Sequence, residues 1–290
     1  YGLSSLSAPL VLPDPGADFG AYELGTESWR TSSAPLVARA NALRGIYEEV
    51  QDNDLAEVYA KMQRDAFAVS DRLAALIKAT PGQAGSVAAI DTAFAPLISN
   101  GTVADGLPRQ LYQIAKLIAG NATVQGNRQI FFAQLGGFDT HGNQIGASVL
   151  DGKHAALLRQ VGDSLACFHN AMKALGLADA VTAFTQSDFG RTFTPNNSNG
   201  TDHAWGNHHL VIGGAVRGGT TYGSYPTLTL GGPDDVGVDS WELQGRWIPT
   251  LSVDQYAATL LAWFGATPAQ LDAVLPNLKN FGSARSIGFL

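Results

Sequence analysis

Three short segments concentrate residues able to hold a metal ion or an anion: 136–141 (Gly-Gly-Phe-Asp-Thr-His), 187–191 (Ser-Asp-Phe-Gly-Arg) and 200–203 (Gly-Thr-Asp-His). In extended backbone, residues two apart point the same way, so the Asp139 carboxylate and the His141 imidazole can grip one ion. Gly136, Gly137 and Gly142 let the chain turn tightly around it. A plain Asp–His hydrogen bond holding the turn would use the same spacing. In the second segment Asp188 offers another carboxylate, and Arg191 can bind an anionic substrate group in bidentate fashion. The bland alternative is that Asp188 and Arg191 pair with each other. In the third, His203 is the first candidate ligand, with Asp202 and His208 in reserve, while His209 falls inside an apolar run and reads as core. Carboxylates and imidazoles without a thiolate suit a divalent ion such as zinc, manganese or calcium. Such an ion can polarise a phosphoryl or sulfuryl oxygen and orient a nucleophile.

These segments need elements to position them. Arg128–Leu135, with Ile130, Phe131 and Phe132, reads as a buried strand ending in Gly136-Gly137. A long amphipathic helix follows from about Ala147 to Leu175, with the apolar stripe Leu150, Leu157, Leu158, Val161, Leu165, Phe168 and Met172 and with Gly176 as its stop. Ala180–Thr185 is the next strand. Strand, helix, strand is a βαβ unit, whose strands run parallel and whose following loops leave from one carboxyl edge. Asp139, His141 and Asp188 are then expected on one rim. His209–Val216 is a third strand, and if it runs antiparallel its start brings His203 and His208 to that rim. Upstream, Ala34–Val50, Asp54–Ala79 (Asp54 as N-cap) and Leu107–Ala119 read as a helical layer against the sheet. Downstream, Ser252 and Thr267 announce helices over Ser252–Phe264 and Pro268–Val274. Tyr1–Arg30 reads as extended loop. The organisation expected is one α/β domain over 1–290: loop and helices in 1–127, a βαβ core with the candidate metal site in 128–216, and loops and helices in 217–290.

Composition narrows the partners. The 290 residues are 45% hydrophobic and 15% charged, which suits a folded core and argues against disorder. A net charge of −7 disfavours nucleic acid and anionic membrane surfaces. It leaves room for a small anionic substrate, because a bound cation inverts the local field. No run approaches the ~18 apolar residues of a membrane helix. The single cysteine, Cys167, excludes an intramolecular disulfide and a thiolate cage, and its place on a helix reads as a buried, inert thiol.

The order of Asp-x-His after a strand, then Ser-Asp-Phe-Gly-Arg, then Gly-Thr-Asp-His before an apolar strand resembles a sulfatase-like bacterial domain family of unknown function, usually exported by the twin-arginine route. More distantly it is similar to the alkaline phosphatase superfamily, which includes sulfatases. The match covers roughly Ile130 to Val216. The resemblance implies an alkaline-phosphatase-like, mostly parallel sheet flanked by helices. It also implies that Asp139, His141 and His203 are ligands of one metal, that Asp188 is a ligand of a second, and that the protein is periplasmic or extracellular. Phe189 departs from the superfamily pattern, which commonly has histidine there, and this puts the second metal in doubt.

The superfamily also opens with a strand bearing an aspartate ligand, followed by a serine or threonine nucleophile, and nothing in residues 1–36 reads so. Three strands are few for six helical segments, against the ~5–6 of an average sheet. The sheet is therefore expected to be incomplete at its amino-terminal side. Further strands, the absent carboxylate and the nucleophile are expected from residues preceding Tyr1, as a complementary fragment or chain. Two functions follow as expectations: a metal-dependent hydrolase of phosphate or sulfate esters, and a non-catalytic exported binding or surface protein that keeps the fold and at most one structural metal.

Overall fold

Two long helices, α1 (Ala34–Glu48) and α2 (Asp54–Lys78), open the first of two units into which the chain divides, Tyr1–Ala133 and Gln134–Leu290. The computed structural model describes residues 11–17, 34–126, 128–237 and 242–290. The loop expected over Tyr1–Arg30 thus lies outside the described residues, except for 11–17.

In the first unit the N-cap of α2 is Asn53, one residue before the expected Asp54. Its side chain accepts the Ala56 N–H at 3.0 Å, while Asp54 sits in the first turn, where a carboxylate suits the helix dipole. The far end of α2 is closed by an unusual device. Lys116, fully buried on α4 (Leu107–Ala119), donates to the carbonyls of Leu76, Ile77 and Ala79 at 3.0, 2.9 and 2.6 Å. Those are carbonyls that a helix end leaves without intrahelical donors. Leu73, Ile77 and Leu117 pack beside this cap, and Leu12 and Phe131 pack against them. Helix α3 (Ala88–Phe94) adds Phe94 edge-on to Tyr112, whose hydroxyl donates to Asp91 at 2.6 Å. A two-residue hairpin, β1 (Ile98–Ser99) and β2 (Thr102–Val103), turns at Asn100-Gly101, both at positive φ as a type I′ turn demands.

The expected strand over 128–135 does not form. The segment belongs to no described sheet, with Phe131 packed against the core and Ile130 and Phe132 exposed. Of the apolar face expected on α2, Phe67, Leu73 and Ile77 are buried, whereas Leu55, Val58, Tyr59 and Met62 are exposed.

In the second unit α6 (Lys153–Ala174, following the short α5, Asn121–Val124) begins six residues later than expected. Its second half buries Leu165, Phe168 and Met172, while Leu150, before it, and Leu158 are exposed. Gly176 follows its cap at φ 71°, the left-handed stop the sequence predicted. Strand β3 (Thr182–Phe184) pairs antiparallel with β6 (Val211–Gly213) in the register Ala183↔Ile212. Between them β4 (Gly190–Arg191) pairs antiparallel with β5 (His203–Ala204). The carboxy-terminal helices α7 (Val253–Phe264) and α8 (Pro268–Val274) start at capping boxes, Ser252 with Gln255 and Thr267 with Gln270. Tyr256 and Leu260 of α7 pack on Phe289, with Val211 of β6 against them.

The α/β architecture is therefore corrected. Among the described residues the protein is mainly helical, with two-stranded antiparallel sheets and no parallel sheet. A βαβ unit needs its first strand to find a partner, and 128–135 finds none in any described sheet. The chain leaving β3 instead doubles back through the β4–β5 hairpin and returns beside β3 in the opposite sense, so its nearest pairing is antiparallel. With no parallel sheet among the described residues, no described sheet calls for complementary parallel strands. No described helix is long and apolar enough to cross a membrane.

Candidate metal centre

The β4–β5 register sets Arg191 directly opposite His203, so their side chains emerge on one face of the hairpin. Close approach is possible because Gly190 lacks a side chain: a Cβ there would run into the carbonyl oxygen of Gly206. The loop carrying Asp139 and His141 joins this hairpin through backbone bonds. Thr201 N–H donates to Thr140 O at 3.2 Å, Asn143 N–H to Ser198 O at 3.2 Å, and Gln144 N–H to Asn199 O at 2.9 Å. Gly200 serves the same end, since a Cβ there would strike the backbone of Thr140 and His141. Beneath, Gln144 Oε1 accepts the hydroxyls of Thr140 (2.8 Å) and Thr201 (2.6 Å). Two loops far apart in sequence are thus joined edge to edge, without an intervening sheet rim.

At their junction three donor atoms meet. Asp139 Oδ1 lies 2.8 Å from His203 Nε2 and 2.9 Å from His141 Nε2, and the two Nε2 atoms are 3.3 Å apart. Arg191 Nη1 donates to the same Oδ1 at 2.9 Å. An ion about 2.1 Å from each of three tetrahedral ligands would space them about 3.4 Å apart. The triangle therefore needs to open by only a few tenths of an ångström to hold one. The side chains of Asp139, His141 and His203 are 55%, 49% and 53% exposed, so an ion there would keep further positions open to water or a ligand.

Neighbouring residues fix the orientation of each donor. His141 Nδ1 lies 2.9 Å from Asp202 Oδ1, which assigns the N–H to Nδ1 and turns the Nε2 lone pair toward Asp139 and His203. A carboxylate behind a ligating imidazole is the usual arrangement at metal centres. The ring of Phe189 stacks on His203, with centroids 4.3 Å apart and planes at 17°. Arg191 Nε donates to Thr201 Oγ1 at 3.0 Å and its Nη2 to Thr201 O, so three of its five N–H bonds hold the hairpin and Asp139 in place. The hydrogen bond from His203 holds the Asp139 carboxyl below its usual range; desolvation opposes this and Arg191 reinforces it. The Asn196 side-chain amide, and after it His141, does the same for Asp202. Both groups are thereby kept as carboxylates.

Asp139, His141 and His203 are the one such cluster found among the described residues. Asp202 stands directly behind His141. Arg191 lies inside the site, and most of its donors serve the loops. Asp188 is exposed and outside the cluster, although only three residues before Arg191. His208 sits against Tyr225, with ring centroids 5.3 Å apart. His209 stacks on Tyr256 and desolvation lowers its pKa, yet it is exposed and precedes β6, so it is not the core residue the sequence suggested. Sequence reasoning did not single out Asn196 or Gln144 as parts of this arrangement, and it marked Phe189 only as standing where the superfamily commonly has histidine. Asn196 stands in a turn-forming stretch, Thr-Pro-Asn-Asn-Ser-Asn-Gly (194–200), that reads only as loop.

Neither the curated proteins nor the solved structures hold a significant match to this chain. No link to the alkaline phosphatase or sulfatase superfamily is found. One family model, described as "Protein of unknown function (DUF1501)", matches residues 34–239 of the 290, a span that includes all three donors, and the chain belongs to that family.

Proposed function

We propose that the second unit binds one divalent cation through Asp139 Oδ1, His141 Nε2 and His203 Nε2 and uses it to hydrolyse an anionic ester, a phosphate or a sulfate. The observation that carries the reading is the convergence of two imidazole nitrogens on one carboxylate oxygen within 3.3 Å. The His203 Nε2–H and Arg191 Nη1 donate to Asp139 Oδ1; a cation would displace the His203 proton, and Asp202 already accepts the Nδ1–H of His141. The donor set fits zinc or manganese, and calcium, which prefers more oxygen ligands, fits less well.

A cation there supplies Lewis-acid polarisation of an ester oxygen and makes a bound water more acidic. The residues around it have separate tasks. Asp139 neutralises part of the charge, and Asp202 keeps the imidazole of His141 in its ligating tautomer. Arg191, held beside the Asp139 carboxylate at 13% side-chain exposure, is the cation that would meet an incoming anion in this proposal. The threonine hydroxyls beside the cluster are committed: Thr140 and Thr201 donate to Gln144, and Thr192 donates to Thr194 O at 2.9 Å. None is free to attack, so water is the nucleophile in this proposal.

Those committed hydroxyls also favour a second reading, a non-catalytic binding protein that retains one ion. An exported location, periplasmic or extracellular, belongs to both readings and rests on the resemblance to twin-arginine-exported proteins. Metal analysis of the purified protein, followed by assays on 4-nitrophenyl phosphate and 4-nitrophenyl sulfate, decides between them. Stoichiometric metal with turnover lost in Asp139→Asn supports the hydrolase. Stoichiometric metal without turnover supports the binding protein. No uptake of zinc or manganese overturns both.

A further inference from the structure

We infer that Asn196 is a positioning residue for the metal centre, fixing His141 both through its backbone and through Asp202. The inference rests on the metal-binding reading above and adds to it the residue that sets the geometry of one ligand. The Asn196 side chain has two N–H donors and an oxygen that accepts two bonds, and all four are used. One N–H goes to His141 O at 3.0 Å and the other to Asp202 Oδ1 at 3.1 Å. The oxygen accepts from Ser198 N–H at 2.9 Å and Gly200 N–H at 3.1 Å. Its own N–H donates to Gly200 O at 2.8 Å.

One planar amide therefore ties three things together: the backbone of a ligand, the carboxylate that orients that ligand's ring, and the turn leading to His203. The Asp202 carboxylate is held from both sides, because the same Oδ1 accepts from Asn196 and from His141 while the Asp202 N–H donates to Thr192 Oγ1 at 3.0 Å. Were the amide absent, Asp202 could rotate, and His141 would lose the partner that keeps its proton on Nδ1. Outer partners of metal-bound histidines typically change metal affinity about 10–100-fold when altered.

The substitution that isolates this role is Asn196→Asp. It keeps an oxygen for Ser198 and Gly200, so the turn retains its bonds. It removes both donors and sets a carboxylate against Asp202. Zinc binding is measured by competition titration on the full chain. The tautomer of His141 is read from the ring nitrogen shifts of the zinc-loaded, 15N-histidine-labelled protein, and melting temperature serves as the fold check. The expected result is about 10–100-fold weaker zinc binding, with the Nδ1–H form of His141 no longer the single tautomer. Should Asn196→Asp fail the fold check, Asn196→Ser takes its place, since its shorter side chain keeps a turn acceptor but cannot span to both His141 and Asp202. Wild-type protein that takes up zinc, with a folded variant of equal affinity and unchanged tautomer, overturns the inference alone. Wild-type protein that takes up no zinc overturns the metal-binding reading and this inference with it.

Discussion

Replacing Gly190 by alanine tests whether the β4–β5 hairpin sets the spacing of the candidate ligands. The added Cβ would fall well inside contact distance of the Gly206 carbonyl oxygen. Neither atom belongs to a side chain that can rotate away, so backbone must move. Room beside Gly206 is limited, since a Cβ added there would meet Trp247 O and Pro249, and the strain is expected to fall on β4. Arg191, the next residue, pairs with His203 across the hairpin and grips Asp139 Oδ1 at 2.9 Å. Overpacking of this kind costs about 1–3 kcal/mol. If it is relieved by opening the hairpin, an ion must restore the closed form in order to bind. That penalty corresponds to about 5- to 150-fold weaker affinity. Zinc titration of Gly190→Ala beside wild type measures it, and Gly162→Ala on α6, where a Cβ meets nothing, is the control. A Gly190→Ala protein that melts and binds zinc as wild type does would refute the idea that this hairpin positions the centre.

Four further outcomes are expected. His141→Ala and His203→Ala each lose stoichiometric zinc in metal analysis, while Asp188→Asn, outside the cluster, retains it. Phe189→Ala removes the ring stacked on His203, a contact worth about 0.5–1.5 kcal/mol in comparable pairs, and weakens zinc binding by about 2- to 10-fold in the same titration. Chelation lowers the melting temperature: at a free zinc concentration about 100 times Kd the ion contributes about 2.7 kcal/mol, which chelator removes. Lys116 gives a pH signature. Burial pushes it down to about 8, with Asp91 pulling the other way. Between pH ~8 and the ~10.4 of an unfolded lysine, the unfolded chain holds a proton the folded protein has released, so this group makes stability rise with pH across that window. Below pH ~8 both states are charged and the contribution is flat. Urea unfolding of wild type and Lys116→Met at pH 7 and 9.5 isolates it, because the opposing effects of Tyr112 and Cys167, whose pKa values burial raises, appear in both proteins.

What could be read from sequence was local. The Asp-x-His spacing placed Asp139 and His141 on one ion-sized triangle because it depends only on the geometry of two adjacent peptide units. The stop at Gly176 and the caps at Ser252 and Thr267 followed for the same reason. His203 was expected there through an antiparallel return of the 209–216 segment to a sheet rim; β6 does run antiparallel to β3, but the β4–β5 hairpin is what carries His203 to Asp139, and His208 stays outside the cluster. Asn196 was illegible because its four bonds join residues up to 55 positions apart, and nothing in a turn-rich stretch marks which asparagine will do so.

The sheet failed for a different reason. Apolar runs such as Ile130-Phe131-Phe132 give a strand its propensity but not its partner, and a β ladder exists only between two segments. A helix satisfies its backbone within itself, so α2, α4, α6, α7 and α8 lie close to where their patterns placed them. The candidate centre follows neither rule. Its loops are joined by a few backbone bonds at Thr140, Asn143, Gln144 and Thr201, and by the contacts that Gly190 and Gly200 permit. Such a site tolerates loss of the expected parallel sheet, because the elements that space its donors are the hairpin and the turn themselves. It should be correspondingly sensitive at those two glycines, more than at any apolar residue of α6.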